Sequence, residues 1–545
     1  MKKLSTSYDA IIVGGGHNGL VAAGYLARAK HRVLVLEASA HLGGAAVTEE
    51  LAPGYQAPAG AHLLDAWPRL IERELKLAKT GFKMAVADMA TLALDLDGHH
   101  ITLHGTPRQD RERLRNWSAQ DADTYAEFRK ELTAYANLLV PMLKTLPSSA
   151  AYRGMARLRM RLKLGLAAER LGRVRLRALM QRLPASIADL VDAKFDTDLL
   201  KGALAIEAIE GRAVGPGSPG TTFSLIYREA MRARAGGRRG FPKGGVGGLT
   251  RALAGAAERF GAVVQTDATV SGIIIEDGRA VGVRLADGVD IYAPIIVSTV
   301  DPKRTFLDLL GAEHLDAGLA TRLSHIRMAG TTAKVNLALA GLPAFKNFTE
   351  QDYGSRLLIG PGLSYIEAAF SAFKGGDFAT DPVMEIILPS CHDADLAPHG
   401  HQIMSVLVHY VPYELRQSWD DTQKQRLLQN VIDTIALYAP DIKEQVVAGQ
   451  LLTPPDIEQR FGLPQGDWAH GQMMPDQLMM FRPAPGLADY DTPIPGLYFG
   501  GAGAHPGGGI TGWPGKAAAL AALAALRGRR GWVAKIREKS ARSDP

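Results

Sequence analysis

The residues best suited to chemistry come early in this sequence: Gly14, Gly16 and Gly19 at G-x-G-x-x-G spacing, then an acid, Glu37, 18 residues after the last of them. Each has its own task. Gly14 permits a tight turn, Gly16 lets backbone N–H groups approach a pyrophosphate, and Gly19 lets a helix lie close to a strand with its N-terminus facing the phosphates. Glu37 is placed to accept hydrogen bonds from a ribose hydroxyl. These residues need a βαβ scaffold to position them. Tyr8 to Val13 reads as a buried parallel strand, a helix follows through Leu20, Ala23 and Leu26, and Arg32 to Leu36 reads as a second strand ending at the acid. A carboxylate at that point disfavours the 2′-phosphate of NADP and leaves NAD and FAD both open.

Further glycines extend the pattern. Leu42-Gly43-Gly44-Ala45-Ala46 follows the acid, and Pro58-Ala59-Gly60-Ala61-His62 lets backbone pass close to something flat. Far along the chain, Gly496 to Phe499 reads as a strand feeding a run from Gly500 to Gly515 that includes Gly501, Ala502, Gly503, Gly509, Ile510 and Gly512, before an alanine-rich helix. Two glycine-rich approaches so distant in sequence suit a large, folded-over ligand such as FAD, whose ring needs backbone contacts of its own.

At 545 residues, 46% hydrophobic and 22% charged, the chain has the make-up of a folded protein of two domains. The nucleotide domain is expected in three pieces, 5–75, 240–305 and 485–526. An antiparallel meander is expected within it, with hairpin turns at Asp277-Gly278 and Asp287-Gly288. Residues 76–239 and 306–484 are expected to form a discontinuous α+β substrate domain, helical in its first part, and 527–545 a basic tail. Within it Trp117 to Pro147 reads as a helix opened by a capping box of Ser118 and Asp121.

No run approaches the roughly 20 apolar residues of a membrane span, and Met1-Lys2-Lys3 has no apolar core behind it, so a cytoplasmic chain without a secretory signal is expected. One cysteine, Cys391, excludes internal disulfides and a C-x-x-C redox pair, and it reads as a small buried side chain. No metal site is expected. The net charge of +6 is mild, but from Arg153 to Arg182 ten basic residues face one acid, interleaved with leucines. That stretch is able to rest on an anionic membrane surface at the inner face; the alternative is a solvated face, or arginines packed over a neighbouring helix. Without a recognition motif, nucleic acid is not expected as a partner.

Together these blocks resemble the phytoene desaturase branch of the FAD-dependent amine oxidase-like superfamily, and more closely its phytoene dehydrogenase-related proteins. The resemblance rests on Ile11 to Gly19 with Glu37, Gly43 to Glu50, Pro242-Lys243-Gly244-Gly245, Thr453 to Pro464, Asp476-Gln477-Leu478 and Gly496 to Gly512. It implies an α/β fold with an FAD-binding Rossmann-like domain of the glutathione-reductase/amine-oxidase type. It further implies FAD held by Gly14, Gly16, Gly19, Glu37, Gly43 and Gly44, with Val270 meeting the adenine, and Gly60, Ala61 and His62 together with Gly501 to Gly512 lining the isoalloxazine. One departure is Ala45, where such proteins often carry an arginine, which leaves the pyrophosphate one cation short.

In such a site the flavin does the chemistry and the protein orients a C–H bond against N5. His505 and His62 are the residues expected to tune the ring or handle a proton, the alternative being that each only orients backbone. The activity expected is an FAD-dependent oxidoreductase acting on a hydrophobic, unsaturated lipid or isoprenoid by desaturation, saturation or isomerisation. Its rivals are a flavin amine oxidase, which needs an aromatic cage and a lysine-held water near N5, and a flavoprotein fold used for protein association with little catalysis.

Overall fold

A computed structural model describes residues 8–103, 106–144, 155–237 and 239–528. At its centre is β1 (Ala10–Val13), in a five-stranded parallel sheet with β2 (Val33–Leu36), β3 (Val263–Gln265), β4 (Ile296–Ser298) and β5 (Leu497–Phe499) in the order β5-β4-β1-β2-β3. Period-two alternation sorts these apolar strands between two faces. Ala10, Ile12, Val33, Val35 and Val297 pack on one side against α1 (His17–Arg28), α2 (Val246–Arg259) and α3 (Trp513–Gly528). Ile11, Val13, Leu34, Leu36 and Ile296 pack on the other against the meander of Val270–Glu276, Arg279–Leu285 and Asp290–Tyr292. That meander joins the chain between β3 and β4 and forms its own three-stranded sheet. Its first hairpin turns at Asp277 and Gly278, both with positive φ, and its second at Asp287-Gly288.

Close packing at the centre depends on glycine. A Cβ on Gly19 would stand 1.9 Å from the Gly14 carbonyl oxygen, and one on Gly515 of α3 would stand 2.0 Å from the Asn18 carbonyl oxygen of α1. No side chain fits either gap, so α1 lies directly on the β1 turn and α3 directly on α1.

The second layer is a seven-stranded sheet, in the order Val446–Leu452, Thr332–Leu339, Gln402–His409, Met384–Ile387, Arg356–Ile359, Thr91–Leu94, His100–Leu103. Its last two strands come from a region that the sequence left without strands; they are short, and Thr91–Leu94 is secured by parallel pairing with the distant Arg356–Ile359. One face of this sheet is apolar, with Val335, Leu337 and Val406 against Leu427, Val431 and Ile435 of the Asp421–Tyr438 helix. On the opposite face the same alternation places Lys334 and Asn336, together with Ser405 and Glu385 from neighbouring strands.

Two expectations need correction. Only half of the capping box forms at the helix Ala119–Lys144: Ser118 Oγ accepts the Asp121 N–H at 3.1 Å, but the buried Asp121 carboxylate accepts from Asp196 N (3.0 Å) and Thr197 N (2.8 Å) instead, capping the turn before another helix. Cys391 is exposed, although local burial of its thiol raises it to about 11 and keeps it protonated. The basic stretch forms two helices, Met155–Leu171 and Arg173–Arg182, broken at Gly172, where φ is +81°. Leu158, Leu162 and Leu166, at i, i+4 and i+8 on the first of them, are 51%, 57% and 51% exposed, so this leucine stripe lies open. Arg153, Gly154 and residues 529–545 of the basic tail lie outside the described residues. Among the described residues no helix is long and apolar enough to cross a membrane.

Replacing Asp121 with alanine leaves two backbone donors without their acceptor. A loss of about 2–4 kcal/mol is expected in chemical denaturation, given about 1–3 kcal/mol for each unsatisfied buried group, and an unchanged midpoint would contradict the capping role.

Candidate active site

The turn from β1 into α1 presents backbone rather than side chains. Gly16 caps α1, and a Cβ added to it would meet no atom within 4 Å: the space in front of the helix N-terminus is open. The second glycine pair is tied to this turn, since Gly43 N donates to the Gly15 carbonyl at 3.0 Å and Gly44 (φ +59°) has only Gly16 Cα near its missing side chain. Glu37 directly follows β2, with Oε2 accepting from Gly15 N (2.6 Å) and Oε1 from Ser39 N (2.9 Å), which holds the carboxylate at the edge of the same opening. Ala268 N donates to the Glu37 carbonyl at 2.9 Å and brings Val270 alongside.

From this opening a cavity of about 1710 Å³ runs to the polar face of the seven-stranded sheet. Of the residues expected at a cofactor, Gly14, Gly16, Glu37, Gly43, Gly44, Gly60, Ala61, His62, Val270, Ala502, Gly509 and Ile510 line it. Gly19, Gly501, Gly503 and Gly512 do not, and their role is packing. A Cβ on Gly501 would stand 2.6 Å from the Val300 carbonyl oxygen, one on Gly503 2.8 Å from Pro302, and one on Gly512 3.0 Å from Val21.

His505 corrects the sequence reading. It does not line the cavity; its ring is buried on the other side of the glycine loop, with Nε2 3.1 Å from the Met142 carbonyl oxygen. Burial, with Arg234 adding to it, lowers its pKa to about 3. The loop is held in this orientation by Arg482, which is buried and donates to the carbonyls of Gly471 (3.1 Å), Ala502 (2.9 Å) and Ala469.

His62 is also buried, but at the cavity wall. Its Nδ1 lies 3.0 Å from Lys334 Nζ and 3.2 Å from Ser405 Oγ, and Lys334 also donates to Ser405. While Lys334 is protonated it donates, Nδ1 accepts and Nε2 carries the proton; once Lys334 is neutral its amine can accept from Nδ1–H instead. That Nε2 has no hydrogen-bond partner and lies 3.8 Å from Glu385 Oε1. Burial, reinforced by Lys334 and Arg356, holds His62 well below its ordinary range. Lys334 itself, fully buried, is pushed down to about 7 by burial, with Glu385 opposing. The sequence reading missed Lys334; its signal was a charged residue inside a run, Ala333 to Leu339, otherwise suited to a strand buried on both faces.

Two further half-buried histidines line the opening. His17 Nε2 and His470 Nδ1 have no hydrogen-bond partner, and each ring is lowered to about 4, by burial first and then by neighbouring cations or rings. Open backbone at Gly16, the Glu37 carboxylate and unpaired polar atoms along a cavity of this size fit FAD. No arginine stands at Ala45, but Arg304 lines the cavity.

The profile of flavin containing amine oxidoreductases matches residues 19–512. The chain is similar to pyridine nucleotide-disulfide oxidoreductase domain-containing protein 2 of Mus musculus, at 34% identity over 95% of this chain and 93% of that protein. It is similar to a limonene dehydrogenase subunit of Castellaniella defragrans at 27% identity over 92% of each chain. A phytoene desaturase (lycopene-forming) of Pseudescherichia vulneris is 28% identical over 56% of this chain and 60% of its own. In fold, the chain is similar to cyclohexylamine oxidase of Brevibacterium oxydans, with a TM-score of 0.59 at 15% identity over 95% of this chain and 98% of that one.

Filling the open space at Gly16 with valine is expected to leave a folded protein that purifies without flavin; full flavin occupancy in the variant would contradict the cradle. Stability should depend on pH through the histidines. His17 and His470 are neutral in the fold down to about 4, whereas in the unfolded chain they take up protons below 6.5. Stability is therefore fully present above 6.5 and lost as the pH falls from there toward about 4. Denaturation midpoints across that window should show the fall, with a shallower slope in His17→Gln; an identical slope would contradict it.

Proposed function

We propose, for a chain that belongs to the flavin containing amine oxidoreductase family and is an FAD-dependent oxidoreductase, that its substrate is a hydrophobic, unsaturated molecule of lipid or isoprenoid type. The reaction in this reading is desaturation, saturation or isomerisation. The observation that carries it is the continuous cavity leading from the glycine turns to the seven-stranded sheet, walled beyond them by Tyr227, Met231, Leu407, Trp468 and Met473. The names of two relatives, specifying limonene and phytoene, support it.

Gly14, Gly16, Gly43, Gly44 and Glu37 would hold the dinucleotide, Val270 would border the adenine, and Gly60, Ala61, Ala502, Gly509 and Ile510 would border the ring. When bound, FAD supplies a hydride acceptor or donor at N5. The apolar walls orient the substrate and exclude water. His62 stands at the cavity wall, and Lys334 behind it, hydrogen-bonded to His62 Nδ1 and neutral above about pH 7, would take up a proton relayed through that ring.

Oxidation of an amine is the second reading, favoured by Lys334 as a buried lysine beneath the cavity. Against it stands Ala45, and Trp513, the one Phe, Tyr or Trp of the glycine run, does not line the cavity; the aromatic residues at the wall are Tyr227, Phe461 and Trp468. The exposed stripe of Leu158, Leu162 and Leu166, next to the exposed Lys163 and Arg170, supports docking of this segment on an anionic membrane, the source of such a substrate.

Anaerobic addition of unsaturated terpenes or lipids is expected to bleach the oxidised flavin; bleaching by amines alone would establish the second reading instead. Lys334→Met should keep its flavin, slow reduction roughly 100-fold, the lower range for a lost acid–base group, and lose a titration near pH 7. Reduction at the wild-type rate would exclude Lys334. Co-sedimentation with anionic vesicles, abolished by Leu158→Ser with Leu162→Ser, tests the docking segment; equal retention on neutral and anionic vesicles would overturn it.

A further inference from the structure

At the substrate end of the cavity lies a buried ionic cluster whose charges can be counted. Five carboxylates, Asp65, Glu207, Glu210, Glu229 and Glu385, are ion-paired with five guanidiniums, those of Arg129, Arg228, Arg232, Arg239 and Arg356. Within these ten groups the charges cancel; at its edges the buried Asp110 acts on Arg129 and Lys334 on Glu385. Yet a sixth arginine, Arg212, lines the cavity beside it and is only 6% exposed. Among the described residues Arg212 forms no ion pair. Its Nε donates to the Met473 carbonyl (3.0 Å) and its Nη1 to the Glu210 carbonyl (2.8 Å), while Nη2 makes no hydrogen bond to any described residue.

Two backbone carbonyls fix the plane of this guanidinium without neutralising it. Burial and the neighbouring Arg228 pull it down to about 10, with Glu210 opposing, so it stays charged at neutral pH. A buried charge without a counter-ion costs several kcal/mol. A site that tolerates such a cost at the wall of a cavity has an anion as its natural complement, and a planar guanidinium suits a carboxylate. The surrounding wall combines Tyr227, Met231, Trp468 and Met473 with the charged Asp65, Glu210 and Arg228 of the cluster, whose own charges are ion-paired.

We propose that the substrate is an amphipathic acid, an apolar unsaturated body ending in a carboxylate, and that Arg212 binds that carboxylate. The inference rests on the oxidoreductase reading of the same cavity and specifies its substrate class. Arg212 thereby sets which end of the molecule reaches the sheet and which bond lies against the flavin. His62 and Lys334 are left for the proton, and Arg212 for orientation.

The test uses the purified holoprotein and a matched series: unsaturated fatty and isoprenoid acids, their methyl esters and the parent hydrocarbons, titrated anaerobically while the flavin spectrum is followed. Acids are expected to perturb the spectrum at concentrations roughly 30-fold below their esters, the smaller end of what a buried charge-assisted pair contributes. In Arg212→Gln the acids should lose that advantage while the esters bind as before and flavin content is retained. Equal binding of acid and ester to the wild-type protein, or no response to any acid, overturns the proposal without need of a variant. Retention of the acid's advantage in Arg212→Gln also overturns it. A shift in flavin midpoint potential in Arg212→Gln, with acid and ester indistinguishable, would make the flavin itself the counter-ion and overturn it as well. Bleaching by uncharged hydrocarbons with no preference for acids would sink this inference and leave the oxidoreductase reading standing, whereas a protein without flavin would remove both.

Discussion

The structure depends on one steric constraint: where α1 lies on the turn from β1, at Gly14 and Gly19, there is room for backbone and for nothing else. The 1.9 Å between a Cβ on Gly19 and the Gly14 carbonyl oxygen forces the helix against the strand, and the 2.0 Å gap at Gly515 forces α3 against α1. Because no side chain separates these elements, the helix N-terminus stands at the mouth of the sheet with its N–H groups exposed. The open space before Gly16 is the result, and the dipole of α1 favours an anion there. Everything further along the cavity is arranged relative to that point. Gly43 is tied to Gly15, Glu37 to Gly15, and the C-terminal glycine loop is pinned by Arg482.

The two ends of the cavity are built on opposite principles. At the nucleotide end, backbone amides and one carboxylate do the recognition, and side chains are kept small. At the sheet end, period-two alternation on the central strands delivers charged side chains into a dry interior. There nearly every charge is met by a partner, as buried charges require. Lys334, depressed to about 7, and Arg212, without a carboxylate, depart from that rule at or behind the wall of this end, as Arg482, met by carbonyls alone, does at the glycine loop. Strongly perturbed or uncompensated groups in a cleft are where function is expected.

The parts of this design that rest on local chemistry were legible in the sequence. The strand, glycines, helix and acid of the first βαβ unit lie within 30 residues and signal one another, and the meander announced itself through Asp-Gly turns. What escaped was set by distant contacts. Lys334 meets Ser405, 71 residues away, and His62, 272 residues away, so its role appears only after the sheet is assembled. His505 sits in the glycine run, but the direction in which its ring points is decided by Arg482 and by packing against Met142, neither visible in local spacing. Asp121 has the spacing of a capping box and serves a different turn, because Asp196 and Thr197 fold back onto it. The exposed Leu158 stripe, by contrast, follows the helical periodicity directly.

The central claim is that the Gly14–Glu37 opening and the Gly508–Thr511 loop grip opposite ends of one coenzyme. It is tested most directly by stripping the flavin and measuring what the apoprotein binds back. The account predicts one FAD per chain, competition by ADP, which fills only the nucleotide end, and markedly weaker binding of FMN, which lacks that end. Equal affinity for FMN and FAD, or FAD binding indifferent to ADP, would contradict it.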